Sequence, residues 1–197
     1  MIEIGIFIQV VILFFVIFDP PASLAVFIAA TRSMKSAEKR RTATYAILVA
    51  AGVSLVVLLL GERLLEFFTT TIDEFRIAGG IILGILGIKM AMGYPLRAID
   101  TMKKNSAFAI AAIIGTPMLT GPAAITAIML SINDYGRIIT FLAVAFVLII
   151  CGILFYFSDR LSKIFGNMAI QILTTVLGLI TLSWGVKFVT VGLLNIF

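Results

Sequence analysis

The chain has 197 residues, 61% of them hydrophobic and only 13% charged. Soluble domains run nearer half apolar and a quarter charged, so this composition is that of an integral membrane protein, and a net charge of +5 on it does not point to nucleic acid. With no histidine and a single cysteine, Cys151, the chain excludes His-ligated metal sites, Ser-His-Asp and Cys-His catalysis, and an intramolecular disulfide.

The first apolar run covers 3–30. It lacks a basic leading region and is too long for a cleaved signal, so it is expected to stay as a transmembrane helix. Its middle reads FFVIFDPPASLAVFIAA, residues 14–30. A charge at the bilayer centre costs about 2.5–3.5 kcal/mol on insertion scales, which directs Asp19 toward the bundle interior or a water-filled cavity. Proline blocks the regular helical hydrogen bond but suits the first turn of a new helix. Asp19-Pro20-Pro21 therefore reads as a helix end followed by an N-cap and a restart, with Ala22 and Ser23 in the new first turn.

Further spans are expected at 42–61, 76–93, 107–131, 138–157 and 169–192, six in all, in one transmembrane domain over 1–197. In the third, Gly80, Gly84, Gly87 and Ala91 fall on one helix face, where small residues let another helix come close. Arg76 stands one turn before them and suits an ion pair with Asp73 or Glu74, or a gate. The fourth is broken like the first, at Thr116-Pro117 and Thr120-Gly121-Pro122-Ala123. In the sixth, Thr174, Gly178, Thr181 and Gly185 repeat the small-residue spacing, with Thr181 a candidate pathway residue. Cys151 reads as packing, and Lys89 and Lys187 as snorkelling side chains.

Loop charge sets the expected orientation. The first loop carries Arg32, Lys35, Lys39, Arg40 and Arg41, the third Arg97, Lys103 and Lys104, and the fifth Arg160 and Lys163, while the second and fourth are poor in net positive charge. Loops one, three and five are then cytoplasmic and both termini lie outside, in a multi-pass protein of the cell membrane.

The two halves, about 1–95 and 105–197, match at intervals. Pro21 aligns with Pro122, Arg63 with Arg160 and Lys89 with Lys187, at offsets of 101, 97 and 98 residues. Three spans per half make the second half enter from the opposite side, which is the inverted-topology repeat of many secondary transporters. In that arrangement both restarted helices aim their N-termini, with free N–H groups, at one central region suited to a carboxylate. Asp19 beside them suits an ammonium group, so the pair of breaks suits a small zwitterion. Asp19 as a simple cap, or as a site for Na⁺ or a proton that couples transport, are the other readings of the same residue.

FDPPASLAVFI at 18–28, FRIAGGIILGILGIKMAMG at 75–93 and GTPMLTGPAAIT at 115–126 together resemble the MarC family of six-span membrane proteins, which sits with LysE-type exporters in a wider superfamily. The resemblance covers nearly the whole chain and implies a transporter of small neutral amino acids such as glycine and alanine. Three positions depart from the family pattern, with Ala22 and Ala123 where glycine is usual and Ala25 where proline is usual. A methyl at a position of close backbone approach narrows a site.

The expected function is secondary transport without a resident cofactor, driven by an ion or substrate gradient, with the bilayer as environment and a homo-oligomer left open. A metal or other cation exporter is the alternative, and a non-transporting scaffold a third. No nucleophile–base constellation suggests an enzyme.

Overall fold

The structure is a computed structural model that describes residues 4–67, 69–93, 107–164 and 167–196, with backbone alone at 62, 64, 107, 109, 113, 117, 162–164 and 167–170. The basic residues Arg97, Lys103 and Lys104 and the junction between the two expected repeats lie outside the described residues. Among the described residues every regular element is a helix. In chain order these are α1 (Ile4–Phe18), α2 (Pro20–Ala30), α3 (Ser36–Phe67), α4 (Ile72–Ala91), α5 (Ala107–Ile113), a π-helical segment (Ile114–Leu119), α6 (Pro122–Tyr135), α7 (Arg137–Tyr156), α8 (Ser158–Ile164) and α9 (Asn167–Ile196).

Among the described residues, four stretches are long and apolar enough to cross a membrane: Ile4–Ala30, Ser36–Gly61, Arg137–Tyr156 and Gln171–Ile196. The third and fourth expected spans differ for identifiable reasons. Helix α4 carries Asp73, Glu74, Arg76 and Lys89 within its length, and the fourth is divided into α5, the π-helical segment and α6.

Helix α4 opens with a capping box. The Glu74 N–H donates to the Thr71 hydroxyl at 3.2 Å, and the Thr71 N–H donates to the Glu74 carboxylate at 2.8 Å. Two otherwise orphaned N–H groups are thereby satisfied at the polar end of an apolar bundle. Helix α6 is the most enclosed element, with nearly every side chain from Ala123 to Ile132 buried. It packs against α1, α3, α4 and α7. Phe27 of α2 stacks on Phe155 of α7, with centroids 4.7 Å apart and planes 6° from parallel, closing the core between those helices. Large apolar side chains such as Leu59, Ile85, Ile149 and Leu194 point outward, as a lipid-facing surface requires.

The contact that most directly positions the site is the seam between α4 and α9. A Cβ on Gly80 would lie 2.7 Å from the Gly185 carbonyl oxygen, and one on Gly87 would lie 2.7 Å from the Gly178 carbonyl oxygen. A Cβ on Gly192 would meet the Asp73 carbonyl oxygen at 2.9 Å. Numbers rise along one helix as they fall along the other, so the two are antiparallel. Glycine here removes the side chain that would hold the backbones apart, so backbone lies directly on backbone. Helix α4 is thus fixed about its own axis, and its remaining faces are fixed with it.

Candidate functional site

The first break is built from Asp19 outward. Its φ of 42° and ψ of 68° are left-handed, a conformation that non-glycine residues seldom take. The strain turns the carboxylate onto the start of α2, where Oδ1 accepts the Ala22 N–H at 3.3 Å. Pro20 and Pro21 have no N–H, so the carbonyls of Val16 and Ile17 lose their regular helical donors. The Phe18 carbonyl, whose regular donor Ala22 is taken by Asp19, receives the Ser23 hydroxyl at 2.8 Å instead. Asp19 is only 5% exposed, and its Oδ2 has no hydrogen-bond partner among the described residues. A buried carboxylate oxygen without a donor is costly, and the site is therefore rich in acceptors and short of a cation or donor.

The second break has the opposite character. The π-helical segment contains Thr116 in an extended conformation, φ −147° and ψ 122°. The Thr120 hydroxyl donates to the Gly115 carbonyl at 2.7 Å and the Thr120 N–H reaches the same oxygen at 3.1 Å. Thr116 and Thr120 hydroxyls lie 3.1 Å apart. These threonines hold the kink. Helix α6 then starts at Pro122 after Gly121, and no side chain caps it. The first-turn N–H groups of Ala123 and Ala124 have no partner within their own helix, which makes this a donor-rich end with partial positive charge.

Both breaks line one cavity of about 270 Å³. Asp19 and Ser23 come to it from the first break, and Gly121, Pro122, Ala123 and Ala124 from the second. Its other walls are apolar: Ile17 and Phe18 from α1, Met118 and Leu119 from the π-helical segment, and Ile82, Leu86 and Met90 from α4.

Of the other predicted site residues, those whose side chains are described stand apart from the cavity. Pro20, Pro21 and Ala22 shape the turn behind Asp19 without lining the space. Thr116 and Thr120 spend their hydroxyls on the kink. Thr181 is fully buried in α9, with its hydroxyl on the Leu177 carbonyl at 2.9 Å. Pro117 belongs to the π-helical segment, and its side chain lies outside the described residues. The α4 wall was not singled out in the sequence, although its spacing of four and four marks one helix face.

A family model described as MarC family integral membrane protein matches residues 4–197. The chain belongs to the MarC family. It is 30% identical over 187 residues to a UPF0056 membrane protein of Methanocaldococcus jannaschii, covering 91% of each chain. It is 28% identical over 192 residues to the UPF0056 membrane protein YhcE of Escherichia coli, covering 93% of this chain and 89% of that one. A UPF0056 membrane protein of Archaeoglobus fulgidus is 26% identical over 189 residues, covering 91% and 88%. No solved structure matches.

In this MarC chain Arg76 is not primarily paired with its sequence neighbours. Its guanidinium donates to both oxygens of Asp134 on α6, at 3.0 and 2.6 Å, and its Nε lies 3.6 Å from Asp73. Glu74, the other expected partner, is occupied by the capping box. The fork geometry of arginine favours this bidentate grip on one carboxylate. Burial alone raises the Asp134 pKa, but the Arg76 hydrogen bonds, that of Asn133 and the charges of Arg76 and Lys187 together hold it below the ordinary carboxylate range. Nearby, Gly79 of α4 touches Thr126 of α6 so closely that no Cβ fits between them. The clasp and this contact close the space between α4 and α6, and a separate pocket of about 50 Å³ lies beside Arg76, Asp134, Trp184 and Lys187.

Proposed function

We propose that this MarC protein is a secondary transporter of small neutral amino acids, working by alternating access around the cavity between its two breaks. The observation that carries this reading is the meeting of opposite chemistries on one cavity. Asp19 supplies an unpartnered carboxylate oxygen, and the uncapped start of α6 supplies free N–H groups. An α-amino acid has an ammonium for the first and a carboxylate for the second. The size class comes from the family resemblance.

In this reading α4 and the stretch α5–α6 serve as the third and fourth of six spans. The halves form an inverted repeat, and both termini face the outside of the cell membrane. Asp19 also offers a place for a coupling Na⁺ or proton, and the protein carries no catalytic centre.

Proteoliposomes preloaded with unlabelled glycine or alanine test the reading. Counterflow of the labelled amino acid, lost in Asp19→Asn, is the expected result; absence of counterflow for glycine, alanine and valine alike in monodisperse, folded protein would sink the transport proposal. The second reading, cation export, is favoured by the same unpartnered Asp19 oxygen. Stabilisation of the purified protein by a divalent chloride, with none from amino acids, would support it instead.

A further inference from the structure

We propose that the face of α4 formed by Ile82, Leu86 and Met90 is the selectivity wall of the cavity, and that the preferred substrate has an aliphatic side chain of about three or four carbons, the size of valine or leucine. This rests on the transport reading and specifies its substrate. The glycine seam turns one face of α4 onto α9, which leaves the 82–86–90 face directed at the cavity. Met118 and Leu119 complete that surface from the π-helical segment.

The polar groups of the cavity come from the two breaks. Asp19 and the first turn of α6 suit the ammonium and carboxylate that all amino acids share. Ser23 lines the space too, but its hydroxyl is already donated to the Phe18 carbonyl at 2.8 Å. The wall itself therefore presents only hydrocarbon and thioether. About 270 Å³ is room for several waters. Glycine or alanine would leave much of the apolar wall wet or empty, whereas a branched side chain would cover it. Met90 and Met118 are flexible enough to adapt to side chains that differ by a methylene. Among the described residues, the side chains of this wall offer a substrate hydroxyl no strong partner; Ser23 Oγ, which keeps acceptor capacity, stands at the first break instead.

The test is a competition panel in the counterflow assay. Labelled valine and labelled alanine are run in parallel, with glycine, alanine, threonine, valine and leucine as competitors. Each buried methylene is worth roughly fourfold in affinity, so valine should half-inhibit at about a tenth of the concentration that alanine needs. Threonine has the shape of valine and should compete roughly ten- to a hundredfold less well. Leu86→Thr should narrow the gap between valine and threonine. If that variant fails to fold, Ile82→Thr, at a position already 37% exposed, serves the same purpose. Glycine or alanine competing as well as valine, or threonine matching valine, would overturn the selectivity wall while leaving transport intact. Counterflow of neither labelled amino acid, in folded protein, would instead overturn the transport reading and this proposal with it.

Discussion

At Asp19 the chain leaves α1 through a left-handed residue and caps α2 with its own carboxylate, whereas at Gly121 it enters α6 in an extended conformation with no side-chain cap at all. Both breaks place proline at the start of the new helix, and both meet the same cavity. One end is left with acceptors in excess and the other with donors. Proline at the restart is what the breaks share; the residue just before it decides which charge each can receive. A pair of breaks with identical caps would bind like groups twice and could not orient a zwitterion.

Asp19→Asn probes this difference most sharply. The amide oxygen still accepts the Ala22 N–H, so stability should change by less than about 1 kcal/mol. The partner for an ammonium is lost, and charge-assisted hydrogen bonds are worth about 1.5–3 kcal/mol, so counterflow should fall by roughly ten- to a hundredfold. Comparing the melting temperature with the transport rate of one preparation separates capping from binding. Loss of fold without specific loss of transport would reduce the first break to a structural cap.

The next effect tests whether the seam holds the cavity together. In Gly87→Leu the new Cβ would meet the backbone nitrogen of Leu182 at 2.5 Å, and a helix backbone yields less readily than a flexible side chain. Overpacking of this kind costs about 1–3 kcal/mol, read as a lower unfolding midpoint in detergent. An unchanged midpoint would mean that α4 and α9 separate easily.

Asp134→Asn tests the clasp beside the cavity. Its side chain is 30% exposed while that of Arg76 is 7% exposed, so the loss should fall between surface and buried pairs, about 1–2 kcal/mol. The folded-state pKa of Asp134 is depressed, so the stabilisation is complete above the ordinary aspartate value of 3.8 and fades as pH falls through the lowered one. The variant should lack that part of the acid sensitivity, and identical acid profiles would remove Asp134 from the account.

The smallest effect is expected from Gly121→Ser, which gives the second break a side-chain cap like the first. Stability should rise by a few tenths of a kcal/mol, because glycine is already a tolerable cap. The serine oxygen would occupy an N–H otherwise open to a carboxylate, so the KM for transport should rise about threefold. A KM that stays constant would place the substrate carboxylate elsewhere.

The breaks were legible in the sequence because proline and an isolated aspartate act on the backbone next to them. The membrane character followed from composition, and the family from three motifs spread along the chain. The spacing of Gly80, Gly84 and Gly87 could be read as a face for close approach because helical periodicity alone defines it. Long-range choices were harder. Arg76 has Asp73 and Glu74 near it in sequence, yet its bidentate partner is Asp134, brought close only when α4 meets α6. Thr120 could be placed in the second break from sequence, but not the long reach by which its hydroxyl donates to the Gly115 carbonyl that the π-helical turn exposes. The apolar wall of the cavity showed only a helical spacing, and in a lipid-soluble chain a leucine facing a cavity looks like one facing a fatty acyl chain.

The close approach of the α4 and α9 backbones at their glycines has a mechanical consequence. With Gly80 against the Gly185 carbonyl and Gly178 against the Ala91 amide, neither helix can turn or slide without driving one backbone into the other. The two therefore behave as a single lever. Leu86 stands on one arm at the large cavity, and Trp184 and Lys187 stand on the other at the small pocket. A rigid displacement of the pair would move walls of both spaces together.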